Sequence, residues 1–449
     1  MFKNMKLGVK ISLGFAALIL IAVVLGGLSV YNMKSAVTES TKLAKEYVPE
    51  VRIADNLKDA SNRVMYEMRG YGLVEENHYY NKAKEQMKAV KKHMEEAAQL
   101  AESAKHLKAL KGNVEDARGA VENYEELMRQ TEETIAVMAH DREKLDKNAA
   151  SYMQNCADFL NGQNEAFRRD LADRQKKIRL VTAISDLGTD VRVSNFKAQA
   201  NSDRGLMKEA IEKLDKLEDY TSELRTVTRD TEDIQRIDKT EAAASDYAEA
   251  MKAYVNALGS GISAGAADMS RFQAKMDEAA GSYVQNCKEF LTAQQEKLGK
   301  DMHERHEKIT LVNDIIDLGN DARVKAFKSQ VLRSPAILKD ALTNFPKLEK
   351  KYEQLRKITR LDVDLERIDK TQQSGRNYAA ALKDFLGEWE KLQDLSRERE
   401  VAGNKVVEAC TATAEAGVNN TEEIANAAVP FLSTSTNVMI VGLVIAAIT

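Results

Sequence analysis

The sequence predicts an all-α protein, and three observations carry that prediction. Only four prolines, Pro49, Pro335, Pro346 and Pro430, occur in 449 residues, and proline is the residue that breaks helix interiors. Ala, Glu, Lys, Leu, Gln, Asp and Arg dominate, a composition rich in helix formers. Alternating runs of β-branched and aromatic residues, the mark of strands, are scarce. The length exceeds what one core ordinarily serves and suits two to four domains.

Charge narrows the function. Lys and Arg number 66 against 70 Asp and Glu, a net charge of −4, so no basic stripe for nucleic acid stands out. Balanced charges fit solvated helix faces with i,i+4 ion pairs. Cys156, Cys287 and Cys410 form no CxxC pair and read as small buried residues. His303 and His306 lie three apart with no further ligand close in sequence, and read as surface residues rather than a metal site. No phosphate-binding, nucleophile-elbow or zinc-protease motif occurs. The expectation is a protein that is not an enzyme and carries no cofactor or metal.

Two apolar segments bracket the chain. Residues 11–31, ISLGFAALILIAVVLGGLSVY, are uncharged and of bilayer-spanning length. Lys3, Lys6 and Lys10 precede them, which places residues 1–10 in the cytoplasm. The run is long for a signal peptide and lacks an A-x-A site, so a retained anchor is expected. Residues 438–449, VMIVGLVIAAIT, are twelve apolar residues, too few to span, and read as the start of a second membrane helix from about residue 437. Residues 32–436 would then lie outside the cytoplasm.

That outer region repeats itself. DKNAASYMQNCADFL from Asp146 matches DEAAGSYVQNCKEFL from Asp277 at 9 of 15 positions. LVTAISDLGTDVRVSNFKAQ from Leu180 matches LVNDIIDLGNDARVKAFKSQ from Leu311 at 12 of 20. RIDKTEAAASDY from Arg236 and RIDKTQQSGRNY from Arg367 keep the same offset of 131 residues. Three blocks in one register mean duplication. A diverged copy lies upstream, with Arg63 over Arg192, so the region divides into about three repeats (about 32–145, 146–276 and 277–436).

Each repeat reads as a long helix, about 268–333 in the last copy, carrying the second block near its end. Ser334-Pro335 marks the next helix start, with Ser as cap and Pro in the first turn, and a shorter helix runs to about Thr359. Leu361 to Asp364 opens the following long helix. Asn201 to Asp203 and Asp230-Thr231 play these parts one repeat earlier, while Gly259–Gly265 is a kink or a short loop. Helices of about 60 residues reach about 90 Å. They fit stacked four-helix-bundle modules sharing long helices, set between two transmembrane helices.

The blocks, above all R-V-x-x-F-K-x-Q at Arg192–Gln199 and Arg323–Gln330, resemble the helical bimodular sensor domain of bacterial methyl-accepting chemotaxis receptors. The resemblance covers about residues 32–436, with an extra 131-residue unit beyond that family's two modules. It implies a sensor in the bacterial inner membrane with its ligand-binding region in the periplasm or outside. It further implies a homodimer, a small organic acid as ligand, and output to cytoplasmic signalling proteins.

The residues themselves suggest where an acid would sit. On a helix Gly188, Arg192, Phe196 and Gln199 share one face, with Asn195 beside them. Gly319, Arg323, Phe327 and Gln330 repeat the set. A glycine one turn before the arginine leaves a notch for a ligand, and Arg matches a carboxylate bidentately. A second face carries Arg236, Lys239 or Thr240, and Tyr247, matched by Arg367, Lys370 or Thr371, Ser374 and Tyr378. If the two faces meet, an anion is an attractive partner. Alternatively Arg192 and Arg323 pair with acids such as Asp238 and Asp369, and Phe196 and Phe327 pack in the core. Arg63 and Arg69 are the candidates in the first copy. The leading expectation is a chemoreceptor sensing region. The input half of a sensor histidine kinase or nucleotide cyclase, and a structural membrane-anchored spacer, stand as alternatives.

Overall fold

The computed structural model describes residues 5–259 and 266–448, so most of the Gly259–Gly265 stretch lies outside the described residues. The chain is all-α, and no strand occurs among the described residues. In order, α1 is Leu7–Lys42, followed by a π-helical turn at Leu43–Tyr47. Then come α2 (Val48–Val74), α3 (Asn77–Ser103), α4 (Leu110–Asn201), α5 (Arg204–Leu214), α6 (Lys216–Val227) and α7 (Thr231–Gly259). The rest is α8 (Ala266–Val331), α9 (Pro335–Leu342), α10 (Asn344–Lys357) and α11 (Asp362–Ile448). Two compact units result: residues 1–144 with 383–449, and residues 145–382. Both boundaries fall inside long helices, α4 and α11; the first lies within one residue of the start of the second repeat, and the second falls within the third repeat.

Helix ends follow local chemistry. Asp203 caps α5, its carboxylate accepting from the Gly205 and Leu206 amides at 2.8 and 3.1 Å, as a capping aspartate should. Ser334 occupies the matching place before α9, but its side chain makes no cap bond, a correction to the expected serine cap. Ser202 and Arg333, also 131 apart, both turn to positive φ (55° and 51°). That left-handed step lets the Asp203 and Ser334 amides reach back to the Ala198 and Ser329 carbonyls, each at 2.9 Å, the six-to-one closure of a Schellman motif. The expected single short helix to Thr359 is two, α9 and α10, divided at Thr343.

In the first unit α2 packs along α3, and α1–α2 runs antiparallel to the last part of α11. Asn32 donates to Ser435 at 2.5 Å, and Ser29 faces Met439. Cβ atoms built on Gly442, Gly417 and Gly403 would fall 2.7, 2.7 and 2.6 Å from Leu25, Val51 and Met65, so small residues set the close approach. Two helices are long and apolar enough to cross a membrane: the continuous Leu7–Val74 helix, with a stretch of mean hydropathy 2.6, and α11, with one of 2.0. Its hydroxyl residues turn inward, Ser435 and Thr436 donating to the Phe431 and Leu432 carbonyls at 2.8 Å, which hides their polarity.

The second unit holds two hydrophobic cores. One gathers Leu180–Ala198 of α4, α5, α6 and α7 around Met276–Phe290 of α8. The other gathers Leu311–Ile315 of α8, Leu348–Leu355 of α10 and Ile368 of α11 around Tyr152–Phe159 of α4. The repeats are therefore crossed: the first block of each packs into the core of the other. Tyr283 lies over Gly188 and donates to the Ile184 carbonyl at 2.6 Å, and Tyr152 lies over Gly319 and donates to the Ile315 carbonyl at 2.8 Å. Between the cores α4 and α8 pass antiparallel and exchange arginines. Arg174 donates to the Gln294 carbonyl at 3.0 Å and pairs with Asp301. Arg305 donates to the Gln163 carbonyl at 2.5 Å and pairs with Asp170 at 3.0 Å. Every one of these contacts is matched by another 131 residues on, so the unit has a pseudo-two-fold axis through the α4–α8 crossing.

A Cβ on Gly188 or Gly319 would stand 2.0 or 2.2 Å from the partner tyrosine ring, and a buried ring has no room to yield. Gly188→Ala and Gly319→Ala should each cost about 3 kcal/mol in urea unfolding. Gly281→Ala, where nothing lies within 4 Å and where Ala150 stands in the other repeat, should stabilise by about 0.5–1 kcal/mol.

Candidate functional site

The repeated block is only half assembled into a site. In α4, Asn195 is fully buried and donates to the Tyr247 hydroxyl at 3.0 Å, while Gln199 donates to the Asn195 carbonyl oxygen at 2.9 Å. Arg192 is half-buried, its guanidinium 5.6 Å from the Phe196 ring, and its Nε is buried with no hydrogen-bond partner. Burial pushes the Tyr247 phenol up to about 12, so it stays a neutral hydroxyl. Arg192, Asn195, Gln199 and Tyr247 are thus brought together on facing helices. The second copy differs because Ala326 stands where Asn195 would be. Tyr378 is buried with its hydroxyl unpartnered, Gln330 turns back to the Ala326 carbonyl at 3.2 Å, and Arg323 is exposed.

Several expected roles are corrected. The Gly188 and Gly319 notches hold tyrosines of the other repeat, not a ligand. Phe196 and Phe327 are 44% and 46% exposed rather than core, and the Phe196 ring lies under the Arg192 guanidinium instead of in the interior. Asp238 and Asp369 pair with Arg225 and Arg356, not with Arg192 and Arg323. Arg236 and Arg367 bind acids of their own helix, Asp233 at 2.9 Å and Asp364 at 3.0 Å, so neither converges on the block. Lys239 and Lys370 are exposed, and Thr371 donates to the Arg367 carbonyl at 2.7 Å. Arg63 is exposed, and Arg69 makes an exposed contact to Glu400 at 3.2 Å.

The most pointed cation lies outside every repeated block. Arg399 of α11 is 3% exposed. Its guanidinium donates to the Thr131 hydroxyl of α4 and, weakly, to Ser396 at 3.5 Å. Gly72 of α2 leaves room beside it, since a Cβ there would sit 3.4 Å from Nη2. Among the described residues no carboxylate pairs with it. Desolvation holds its pKa below the ordinary arginine value, with the Tyr124 hydroxyl the one opposing influence. Sequence reading missed Arg399 because Arg397-Glu398-Arg399-Glu400 looks like a solvated charge run.

A buried acid lies nearer the apolar helices. Glu50, one residue into α2 beyond Pro49, is 3% exposed and its Oε2 has no partner. It faces α11 where Gly417 lets the helices close, 3.1 Å from a Cβ built there. Burial, then the neighbouring Glu46, raises its pKa from 4.5 to about 7. Glu46 is itself held low by His106, which donates its amide at 3.0 Å and approaches with its ring nitrogen. A carboxyl raised by folding is neutral in both states below pH 4.5 and costs the fold most above pH 7. Stability should therefore fall between pH 4.5 and 7, by at most on the order of 3 kcal/mol. Glu50→Gln should flatten this window in urea midpoints and be more stable than the parent at pH 8.

The three cysteines are free and buried, and burial pushes each thiol up to about 12, which makes them unreactive. Among the described residues no group of three or more His, Cys, Asp or Glu could hold a metal ion. No protein-family model matches the chain, and no curated protein matches it.

Proposed function

We propose that this chain is the sensing region of a bacterial transmembrane receptor, which binds a small organic acid between helices and transmits the event along α11. Arg399 is the observation that carries the reading. A buried guanidinium without a counter-ion is costly, and a carboxylate ligand would relieve that cost with charge-assisted hydrogen bonds. Thr131, Ser396 and the neutral Tyr124 hydroxyl supply polar neighbours. In this reading the cores are four-helix-bundle modules outside the cytoplasm, and α1 and the end of α11 lie in the membrane. The exposed apolar surface of α1 and of α11 beyond residue 437 supports the last point, because water would not tolerate so continuous an apolar face.

Signalling follows from connectivity. Arg399 and the apolar end belong to one uninterrupted helix, so a ligand that favours one packing of α11 against α2 and α4 shifts that helix as a body. The shift can be no larger than the ligand's difference in affinity between the two packings. The receptor would act as a homodimer and pass its output to cytoplasmic signalling proteins. It needs no catalytic group of its own.

The reading is checked by thermal unfolding of the detergent-solubilised chain against a panel of small organic acids. One acid should raise the midpoint saturably, by about 2.7 kcal/mol equivalent at a hundred times its Kd. Arg399→Met should unfold at the same temperature or higher, since it removes a buried charge, and should lose that response. A response that survives in Arg399→Met, or no response in a folded parent, would refute the reading and favour a structural spacer.

A further inference from the structure

The acid at the foot of α2 sits in surroundings that offer it nothing to bind. Glu50 is 3% exposed and its Oε2 has no hydrogen-bond partner. It lines a cavity of about 20 Å³, room for about one water. The other walls are apolar side chains such as Ile53, Leu57 and Leu110, with Cys410 and Thr413 of α11. The Thr413 hydroxyl is already engaged, donating to the Ala409 carbonyl at 2.8 Å and accepting from Asn113 at 3.0 Å. A water there would find too few partners to solvate a carboxylate.

The groups that face Glu50 do not neutralise it either. The π-helical turn Leu43–Tyr47 presents the Glu46 carboxylate and the Tyr47 phenol. From α11 comes the Cys410 thiol, and α3 and α4 line the cavity with apolar side chains. His106, in the link between α3 and α4, is taken by Glu46, its amide and a ring nitrogen each 3.0 Å from Oε2. Lys42 pairs with Glu39 at 2.7 Å. Among the described residues no cation pairs with Glu50, so neutralisation falls to a proton. Burial, then Glu46, accordingly raises its pKa to about 7.

This acid stands at a joint. The Val48 amide reaches five residues back to the Leu43 carbonyl, so the turn before Glu50 holds an extra residue and offsets α1 from α2 by about 100°. On the facing helix Gly417 admits α2 closely. A Cβ there would lie 2.7 Å from Val51, 3.1 Å from Glu50 Oε2 and 3.3 Å from the Tyr47 carbonyl oxygen. Tyr47 in turn packs with Leu107 and Leu110 in a small core of its own. Carboxyl, π-helical turn and close approach thus meet within a few residues.

We propose that Glu50 is a proton switch on the joint between α1 and α2. Protonated, it lets α2 close on α11 at Gly417. Ionised, it gives its proton to solvent and draws that contact apart toward water, and the π-helical turn moves with it. The closed packing holds the neutral acid and the open one the carboxylate, so closure is favoured below about pH 7 and lost above it. The switch needs no ligand and stands whether or not Arg399 binds one.

Nitroxide labels on Val48→Cys and Val418→Cys, exposed positions flanking the contact, read it in the full solubilised chain, where the native thiols are buried. Dipolar broadening between the labels should be strong at about pH 5.5 and lost at about pH 8.5, with its midpoint near the Glu50 pKa of about 7. Glu50→Gln should keep the broadening at both pH values, and His106→Gln should keep the transition. If the labels disturb the joint, infrared difference spectra of the unlabelled parent serve instead: the band of a protonated carboxyl should vanish over the same range and be missing from Glu50→Gln. The proposal is overturned if the broadening of the folded parent does not change with pH, or if the same transition persists in Glu50→Gln. Its loss in His106→Gln, which would assign the proton to the imidazole, overturns it as well.

Discussion

The seating of two tyrosine rings against two glycines is the contact on which the second unit depends. Tyr283 and Tyr152 each close the core begun by the other repeat, and each phenol ends on a helix carbonyl that would otherwise gain nothing from the contact. Only glycine allows a ring so close to a helix axis, so the residue that looked like a ligand notch is a packing device. Because the two rings lie on either side of the α4–α8 crossing, the two long helices are held antiparallel and in one register. The crossed Arg174 and Arg305 pairs then fall into place between them.

The first unit shows the opposite economy. Where the second unit pairs its buried acids Asp233 and Asp364 with arginines one turn on, the helices around Arg399 and Glu50 leave a buried cation and a buried acid without ionic partners. Such groups weaken a fold unless something binds them or they change protonation. They stand on α11 and facing α11, the helix that also carries the apolar end. The unpaired buried charges of the first unit are thus gathered along one helix, α11.

Much of this architecture was legible in the sequence. Proline scarcity and composition sufficed for an all-α chain, and the Asn201–Asp203, Ser334-Pro335 and Leu361–Asp364 signals located helix ends within a few residues. The 131-residue offset was plain. Its consequence was not, because periodicity tells which face of a helix is buried and not what covers it. The exchange of Tyr152 and Tyr283 is a contact between residues more than 160 and about 100 positions from their partners. The candidate site was legible where it was local: Arg192, Asn195 and Gln199 on one face, with Tyr247 on another. Arg323, Lys239, Lys370 and Arg63 are exposed, since a shared face says nothing about depth. Arg399 was hidden for the same reason, its burial arising from Thr131 and Gly72 on two other helices.

The crossing of the repeats also carries a statement about ancestry. Neither copy closes its own core, so a single-copy forebear would have been incomplete as a monomer and whole only as a pair of identical chains exchanging their first helical blocks. Joining two such genes head to tail would turn that symmetric pair into one polypeptide without disturbing a contact. The divergence of Asn195 from Ala326, and of Lys297 from Ala166, is what such a fusion permits. Two positions that had to be identical in a homodimer became free to differ, so the two halves of one fold could diverge in side-chain chemistry without loss of the shared frame.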